Sequence, residues 1–260
     1  MSKFAIISDI HSNIEALTTV FSDIEERGIK KIYCLGDVIG YGPNPRECLD
    51  LIIEKTELCV LGNHDYAAFY EPTNFNYAAE QASFWTRDVL ETDEDETSRK
   101  RWWKFLGNLP MRRSLDVKLN GKTTVLEFLH ASPRKPINEY VFPDDVYTNP
   151  LKVQVLFERF EHICFIGHTH LPGVFLGEPD FYLPDELGGT YPIVENERAI
   201  INVGSVGQPR DEDNRSSYVF VENNEVNFVR LEYDFETTME KIRNIERLDD
   251  FHADRLREGR

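Results

Sequence analysis

Short, largely apolar runs alternate with amphipathic stretches over the first 65 residues of the chain. The apolar runs are typical of strands buried on both faces of a sheet, and they span residues 3–8, 31–35 and 58–61. Between them, Asn13 caps a stretch with apolar residues three and four apart, and Pro45 opens a second such stretch. The pattern predicts a βαβαβ unit, whose parallel strands are joined by right-handed crossovers.

Residues 66–109 break this alternation, because aromatic side chains become frequent and an acidic run interrupts them at residues 91–96. We interpret this segment as two or three helices that form a cap over one side of a ligand site. Ordinary core packing is the more common explanation for the aromatic side chains themselves.

The rest of the chain returns to strands. Asn120 and Gly121 separate two strand-like runs, residues 113–119 and 123–129, and this dipeptide is a strong signal for a hairpin turn. Further strands are predicted at 162–166, 198–202, 217–221 and 225–231, and helices at 149–159 and 235–247. A charged tail follows, which we expect to fray. The order favours an α/β fold of two sheets covered by helices, in a single domain spanning residues 1–260 with the cap as an insertion.

Composition narrows the classes of function. Acidic residues outnumber basic ones by 46 to 29, a formal net charge of −17, so we expect no binding of long nucleic acids through a basic face. No run approaches the ~18 apolar residues of a membrane helix. The chain opens into a strand-like segment without a cleavage site, which predicts a cytoplasmic protein with no membrane association. The four cysteines form no CxxC pair, which favours buried free thiols over disulfides or a thiolate zinc site.

Five of the seven histidines lie in short polar clusters that directly follow predicted strands. The clusters are Asp9-Ile10-His11, Gly36-Asp37, Gly62-Asn63-His64-Asp65, His130 and Gly167-His168-Thr169-His170. Imidazole and carboxylate together suit borderline cations such as manganese, iron, zinc or nickel. Two aspartates, one asparagine and four histidines are more ligands than one ion needs, so the pattern predicts two metal ions that share a bridging carboxylate. Outside the clusters, His162 is expected to be structural and His252 to be solvated in the tail.

Taken in order, the five clusters resemble the motifs of the calcineurin-like metallophosphoesterase family. The longer segments at residues 9–13, 36–43 and 204–211 are similar to its small prokaryotic branch. One departure is Val203, where proline would be expected before Gly204, and it affects a turn and no ligand. The resemblance implies the two-sheet αββα sandwich of that family.

The same resemblance implies a role for each cluster residue. The first metal would be held by Asp9, His11 and His170, the second by Asn63, His130 and His168, and both would be bridged by Asp37. His64 would stabilise the developing phosphate charge or protonate the leaving oxygen, and Asp65 would orient it. Arg134 and Arg210 are candidates for binding a substrate phosphate, because the guanidinium fork matches phosphate geometry. A surface ion pair is the alternative for each arginine.

The implied activity is that of a dinuclear-metal phosphoester hydrolase, first of all a phosphodiesterase acting on small phosphodiesters or nucleotides. The cofactors would be two divalent ions, manganese first, with iron, zinc, nickel or magnesium as alternatives. A phosphomonoesterase, such as a serine/threonine protein phosphatase or a dinucleoside polyphosphate hydrolase, is the alternative activity. A non-catalytic scaffold is disfavoured, because such forms tend to lose the catalytic histidine or metal ligands. A redox or oxygenase metal site would use two histidines and one carboxylate, fewer ligands than the clusters supply. The substrate, the native metal and the oligomeric state stay open.

Overall fold

The computed structural model describes residues 3–119 and 121–260, so the predicted turn residue Asn120 lies outside the described part of the chain. Its helices are α1 (Ile14–Glu26), α2 (Pro45–Lys55), α3 (Asn63–Phe69), α4 (Tyr77–Glu91), α5 (Glu96–Leu106), α6 (Asp145–Thr148), α7 (Pro150–Phe157), α8 (Phe235–Arg243) and α9 (Asp250–Glu258). Its strands are β1 (Phe4–Ile7), β2 (Lys31–Cys34), β3 (Leu58–Cys59), β4 (Arg112–Leu119), β5 (Lys122–Leu129), β6 (Ile163–Ile166), β7 (Gly173–Leu176), β8 (Asp180–Tyr182), β9 (Thr190–Pro192), β10 (Ala199–Asn202), β11 (Ser216–Glu222) and β12 (Glu225–Leu231).

The strands of the described residues form two mixed sheets, as predicted. Sheet A has the order β3-β2-β1-β11-β12-β9, and sheet B has the order β4-β5-β6-β10-β7-β8. In sheet A, β1, β2 and β3 pair in parallel, which confirms the βαβαβ pattern. In sheet B, β5, β6 and β10 are parallel, and β4 and β5 form the predicted antiparallel hairpin. Each sheet therefore has a set of parallel strands whose carboxyl ends share one edge.

Strand β1 shows why its sequence is apolar throughout. Phe4 and Ile6 pack in the core between the two sheets, whereas Ala5 and Ile7 pack under helices α1 and α2. A third core lies between sheet B and helix α7. The layers are thus helix, sheet, sheet and helix, and burial on both faces of each sheet requires continuous apolar runs instead of alternation.

Residues 66–109 form helices α4 and α5 together with most of α3. Leu90, Trp102 and Leu106 join the core beneath α2, so part of this segment is ordinary core. The loop before α4 reaches the histidine clusters, because the Phe75 ring lies 4.6 Å from the His64 ring, centroid to centroid. The role of the segment as a cap that selects the substrate stays a prediction.

The C-terminal region differs from the sequence-based prediction. The predicted helix ends at Arg243, and the tail expected to fray forms a further helix, α9. Leu248 and Leu256 pack with residues of α4 and α8 in a small separate core, which holds α9 in place. His252, expected to be solvated, is 1% exposed and its Nε2–H donates to the Ala78 carbonyl at 3.2 Å.

Two further expectations concern cysteines and membranes. All four cysteines are buried free thiols, as predicted. Across residues 3–119 and 121–260, every helix is too short or too polar to traverse a bilayer.

Candidate metal centre

The polar clusters meet where the carboxyl ends of the parallel strands of both sheets come together. Clusters 9–11, 36–37 and 62–65 follow β1, β2 and β3 in sheet A, and clusters 130 and 167–170 follow β5 and β6 in sheet B. The His168 main-chain N–H donates to Asp9 Oδ2 at 3.0 Å, which ties the two edges together. Ser205, after β10, donates its hydroxyl to the Asp9 carbonyl at 2.8 Å. Residues far apart in sequence therefore share one buried site.

Five cluster residues adopt left-handed backbone conformations that non-glycine residues seldom occupy. Their φ angles are 54° at Asp9, 48° at His11, 51° at Asp37, 66° at His168 and 62° at His170. Such conformations cost about 1–3 kcal/mol each and persist only where the surroundings enforce them. Main-chain bonds between clusters do so here, since Asp9 N–H donates to Gly36 O and His11 N–H to Asp37 O, both at 3.0 Å.

A first group of ligand atoms surrounds Asp9. Its Oδ1 lies 3.1 Å from His170 Nε2 and 3.7 Å from His11 Nε2. The two Nε2 atoms are 3.1 Å apart, and Asp37 Oδ2 lies 3.8 Å from His11 Nε2. Asp9, His11 and His170 thus offer three ligand atoms within 4.8 Å of one another, and Asp37 lies beside His11.

A second group surrounds His130. Its Nε2 lies 3.0 Å from Asn63 Oδ1, 3.2 Å from His168 Nδ1 and 3.3 Å from Asp37 Oδ2. The Asp37 Oδ2 atom therefore belongs to both groups. The structure brings all seven sequence-predicted ligands into these two groups, and their assignment to metals is taken up below as a proposal.

The atoms that face each other in these groups are acceptors. His170 donates its Nδ1–H to the Gln208 carbonyl, and His130 donates its Nδ1–H to the Leu35 carbonyl at 2.9 Å. In the neutral rings both Nε2 atoms therefore carry lone pairs that face the centre. Asp9 Oδ1 is buried there without a hydrogen-bond partner among the described residues. Acceptors packed this closely repel one another unless a cation or a proton lies between them, so the residues fit divalent metal ions.

Without metal, burial and neighbouring charges keep most of these ligand groups free of a proton. Burial raises the pKa of the Asp9 and Asp37 carboxyls, but the adjacent His170 and His130 charges outweigh it and hold both carboxyls ionised. Burial, then the His130 charge, lowers the pKa of His168 to about 3, so this ring is neutral. His130 is the exception: burial lowers its pKa, and the Asp37 carboxylate more than reverses this and raises it to about 9.

We expect metal binding near neutral pH to release a proton from His130. Because the pKa of His130 is raised to about 9, the metal-free ring is protonated below that pH, and a cation must displace the proton. Calorimetry in buffers of different ionisation enthalpy should show about one proton released per chain at about pH 7, falling towards none as the pH rises above about 9. A binding enthalpy independent of the buffer at neutral pH would show that His130 enters the site already neutral.

His64 lies beside the ligand groups, but Asp65 is not hydrogen-bonded to its ring. The His64 ring lies beside both groups, with its centroid 4.9 Å from that of His11 and 4.2 Å from that of Tyr41. Burial lowers its pKa to about 4, so the ring is neutral near pH 7. Its Nδ1 has no hydrogen-bond partner among the described residues. Asp65 therefore does not orient this ring through a hydrogen bond.

Asp65 organises the backbone that carries the shared carboxylate. Its two oxygens accept main-chain N–H bonds from Asp37 at 2.8 Å, Val38 at 3.0 Å, Gly62 at 3.1 Å and Ile39 at 3.4 Å. These bonds join the cluster after β2 to the cluster after β3. The packing is so close that a Cβ on Gly62 would overlap Asp37 Oδ1.

Replacing Asp65 with asparagine is expected to weaken metal binding about 10- to 100-fold. This is the usual effect of losing a residue that orients the metal ligands through hydrogen bonds. The new amide would turn an NH₂ group towards main-chain N–H donors, so the loop of Asp37 would shift. Competition with a chromogenic chelator measures the affinity, and Asp116→Asn, an exposed change on β4, is the matched control. Equal affinities in the two variants would contradict this role.

The two arginine candidates separate in the structure. Arg134 forms an ion pair with Glu139, its Nε lying 3.1 and 3.2 Å from the two carboxylate oxygens. This is the surface ion pair considered as the alternative. Arg210 lies over the Tyr41 ring, with Cζ 5.8 Å from the centroid, and its Nη2 donates to Gln208 Oε1 at 2.8 Å. Only Arg210 of the two is therefore placed near the metal centre without an acidic partner among the described residues.

Aromatic side chains complete the walls of the site, and the sequence reasoning did not assign them there. Tyr41 packs between the His11 and His64 rings, Phe75 packs on His64, and Tyr140 stacks on His168 with ring centroids 4.2 Å apart. Tyr41 stands within a recognised motif, which is a signal that was available. Tyr140 belongs to no motif, and only the tertiary packing brings it to His168.

A family model for calcineurin-like phosphoesterases matches residues 2–172, which include every cluster described above. The chain belongs to the calcineurin-like phosphoesterase family. This calcineurin-like phosphoesterase is therefore a metal-dependent phosphoester hydrolase, and it belongs to a family whose members use a dinuclear metal site.

Full-length similarity extends beyond the family match. The Methanocaldococcus jannaschii protein MJ0912 is 39% identical over 267 residues, covering 100% of this chain and 99% of its own length. The metallophosphoesterase from Sphaerobacter thermophilus is 32% identical, with a TM-score of 0.80 and coverage of 100% of this chain and 99% of that one. The protein PH1004 from Pyrococcus horikoshii shares the fold, with a TM-score of 0.74 at 19% identity and coverage of 100% and 99%. Helices α8 and α9 thus belong to a fold shared along its whole length.

Proposed function

We propose that this phosphoesterase is a two-metal phosphodiesterase that acts on small phosphodiesters or nucleotides. The observation that carries the proposal is the sharing of Asp37 Oδ2 between two compact ligand groups, next to a buried histidine. Asp9, His11 and His170 would hold one metal, Asn63, His130 and His168 would hold the other, and Asp37 would contribute its carboxylate to both. When bound, the two cations activate a water molecule and neutralise charge on the phosphate oxygens. Manganese is the first candidate for both positions.

The protein residues position the substrate and handle charge on the leaving group. His64 is neutral, so it acts through an N–H bond to a phosphate oxygen or to the leaving oxygen. Because Nδ1 is buried, the donor that a substrate can reach is Nε2. The Tyr41 and Phe75 rings hold the imidazole on two sides and keep water from it.

A cavity beside the second ligand group gives room for an organic substituent. It has a volume of about 330 Å³ and includes Asn63, Tyr66, Phe75, Met111 and Lys135 among its lining residues. This is within the range of small-molecule pockets, and its mixture of apolar and polar side chains suits a compact ester group better than a protein surface. A phosphodiester carries two organic groups on its phosphate oxygens, and this cavity can hold at least one of them.

Comparing bis-p-nitrophenyl phosphate with p-nitrophenyl phosphate tests the proposal. With manganese present, kcat/KM for the diester should exceed that for the monoester at least about 10-fold, and chelator should abolish both activities. A preference for the monoester would instead establish a phosphomonoesterase. Metal-loaded protein that turns over neither compound would contradict the proposal for simple diesters.

A further inference from the structure

Two arginines lie on elements that pack at the Tyr41 wall, beside the metal centre. Arg210 follows the motif after β10, and Arg255 lies on α9, the helix that the sequence did not predict. Arg210 lies over the Tyr41 ring, whose centroid is 4.7 Å from that of His11. Helix α9 reaches the same wall, because the His252 ring packs 4.9 Å from the Tyr41 ring. Arg255 follows His252 by three residues and therefore lies on the same side of α9. Its Cζ lies 5.2 Å from the centroid of the Phe251 ring.

The charge of Arg210 contributes to the electrostatic environment of Arg255. Burial, and next the Arg210 charge, lowers the pKa of Arg255 to about 10. Arg210 donates to Gln208 Oε1, and the Gln208 carbonyl accepts the Nδ1–H of His170, so Arg210 is one residue removed from a candidate metal ligand. Two like charges at the edge of a low-dielectric site are unfavourable in the absence of an anion.

Neither arginine has a side-chain carboxylate partner. Among residues 3–119 and 121–260, no Asp or Glu lies within 4.0 Å of either guanidinium, in a chain with 46 acidic residues. Arg255 Nε donates to the main-chain oxygen of Arg260 at 2.5 Å, and Arg210 bonds Gln208. By contrast Arg257, on the same helix as Arg255, pairs with Glu236 at 2.8 Å. Several N–H groups of both arginines are left to bind an anion.

We propose that Arg210 and Arg255 form an anion subsite that binds a second phosphate group of the substrate, separate from the phosphate that is hydrolysed. The inference rests on the proposed function and refines it. The substrate class is then a small phosphoester that carries a further phosphate, such as a nucleotide with a phosphoanhydride or a bisphosphate. Planar guanidinium forks are suited to this group because each can donate two parallel N–H bonds to phosphate oxygens.

Competitive inhibition by inorganic phosphate and by pyrophosphate tests the subsite, with the diester as substrate and free Mn²⁺ held constant by a metal buffer. One phosphate ion cannot contact the metal centre and the arginines at the same time, whereas the two phosphoryl groups of pyrophosphate can contact both. Pyrophosphate should bind wild type at least about 10-fold more tightly than phosphate. Arg255→Ala should raise the inhibition constant of pyrophosphate about 10-fold while changing that of phosphate much less. Arg255→Lys should give an intermediate value, and Arg257→Ala should behave as wild type.

Each outcome bears on a different claim. Equal affinities of the two anions in wild type, or equal losses for both anions in Arg255→Ala, would overturn the subsite. If Arg255→Ala merely destabilised the packing of α9, the inhibition constants of both anions would rise and the melting temperature would fall. Arg255→Lys would then not restore the selectivity for pyrophosphate. If wild type fails to hydrolyse the diester, the proposed function fails. Calorimetric titration of the Mn²⁺-loaded protein with pyrophosphate then still decides whether Arg255 contributes to anion binding.

Discussion

Asp37→Asn is expected to abolish measurable diester hydrolysis and to weaken metal binding at both positions by at least about 100-fold. This loss is larger than the one expected for a residue that only supports the ligands through hydrogen bonds. Asp37 Oδ1 accepts the His64 main-chain N–H at 2.8 Å, while Oδ2 faces both ligand groups. An asparagine that keeps the first bond places its NH₂ group where the shared oxygen was. Donor hydrogens would then point at the cations, so neither site could be completed.

Metal content after dialysis, measured together with turnover, checks this prediction. Asp116→Asn makes the same chemical change at an exposed position on β4 and should keep both metals and full activity. An Asp37→Asn protein that retained two tightly held ions would show that no carboxylate bridge is needed.

His64→Ala is expected to keep both metals and to lose about 10²- to 10⁴-fold in kcat, the range for a group that donates to the reacting phosphate. The ring lies beside the ligand groups, but none of its ring atoms has a hydrogen bond to a proposed ligand. Its removal should therefore leave the ligand atoms in place. His64→Gln should recover part of the lost rate, because its amide can offer an N–H near the position of Nε2.

Metal analysis and steady-state kinetics separate this role from a structural one. His162→Ala is the control, since His162 lies outside the clusters and its Nδ1 accepts the Val125 main-chain N–H at 3.2 Å. Loss of metal from His64→Ala in proportion to the loss of rate would mean that His64 supports the centre instead of the reaction.

The layered architecture could be predicted because strong local patterns determined it. In β1, apolar residues at every position meant burial on two faces, and Phe4 and Ala5 do enter different cores. Helix α9 was not predicted because charged residues dominate its sequence. Its buried residues are His252, Ala253 and Leu256. Such a weak apolar stripe identifies a helix only when its packing partners are known. Strands β7 to β9 were not predicted either.

The candidate ligands could be predicted because chemistry-bearing residues followed strands, whose ends a parallel sheet brings to one edge. The family resemblance implied that Asp65 orients His64, but its carboxylate instead accepts N–H bonds from the loop of Asp37. Tyr140 reaches His168, and helix α9 reaches Tyr41, only through tertiary packing, and no local pattern signals that. Their contribution required the structure.

Titrating metal-free protein with Mn²⁺ while following hydrolysis of bis-p-nitrophenyl phosphate tests the central claim most directly. With protein well above the dissociation constants, turnover should rise until two ions are bound per chain and then stay constant, since both positions share Asp37 and act together. Full activity with one ion per chain, or activity that survives complete removal of metal, would contradict a two-metal phosphodiesterase.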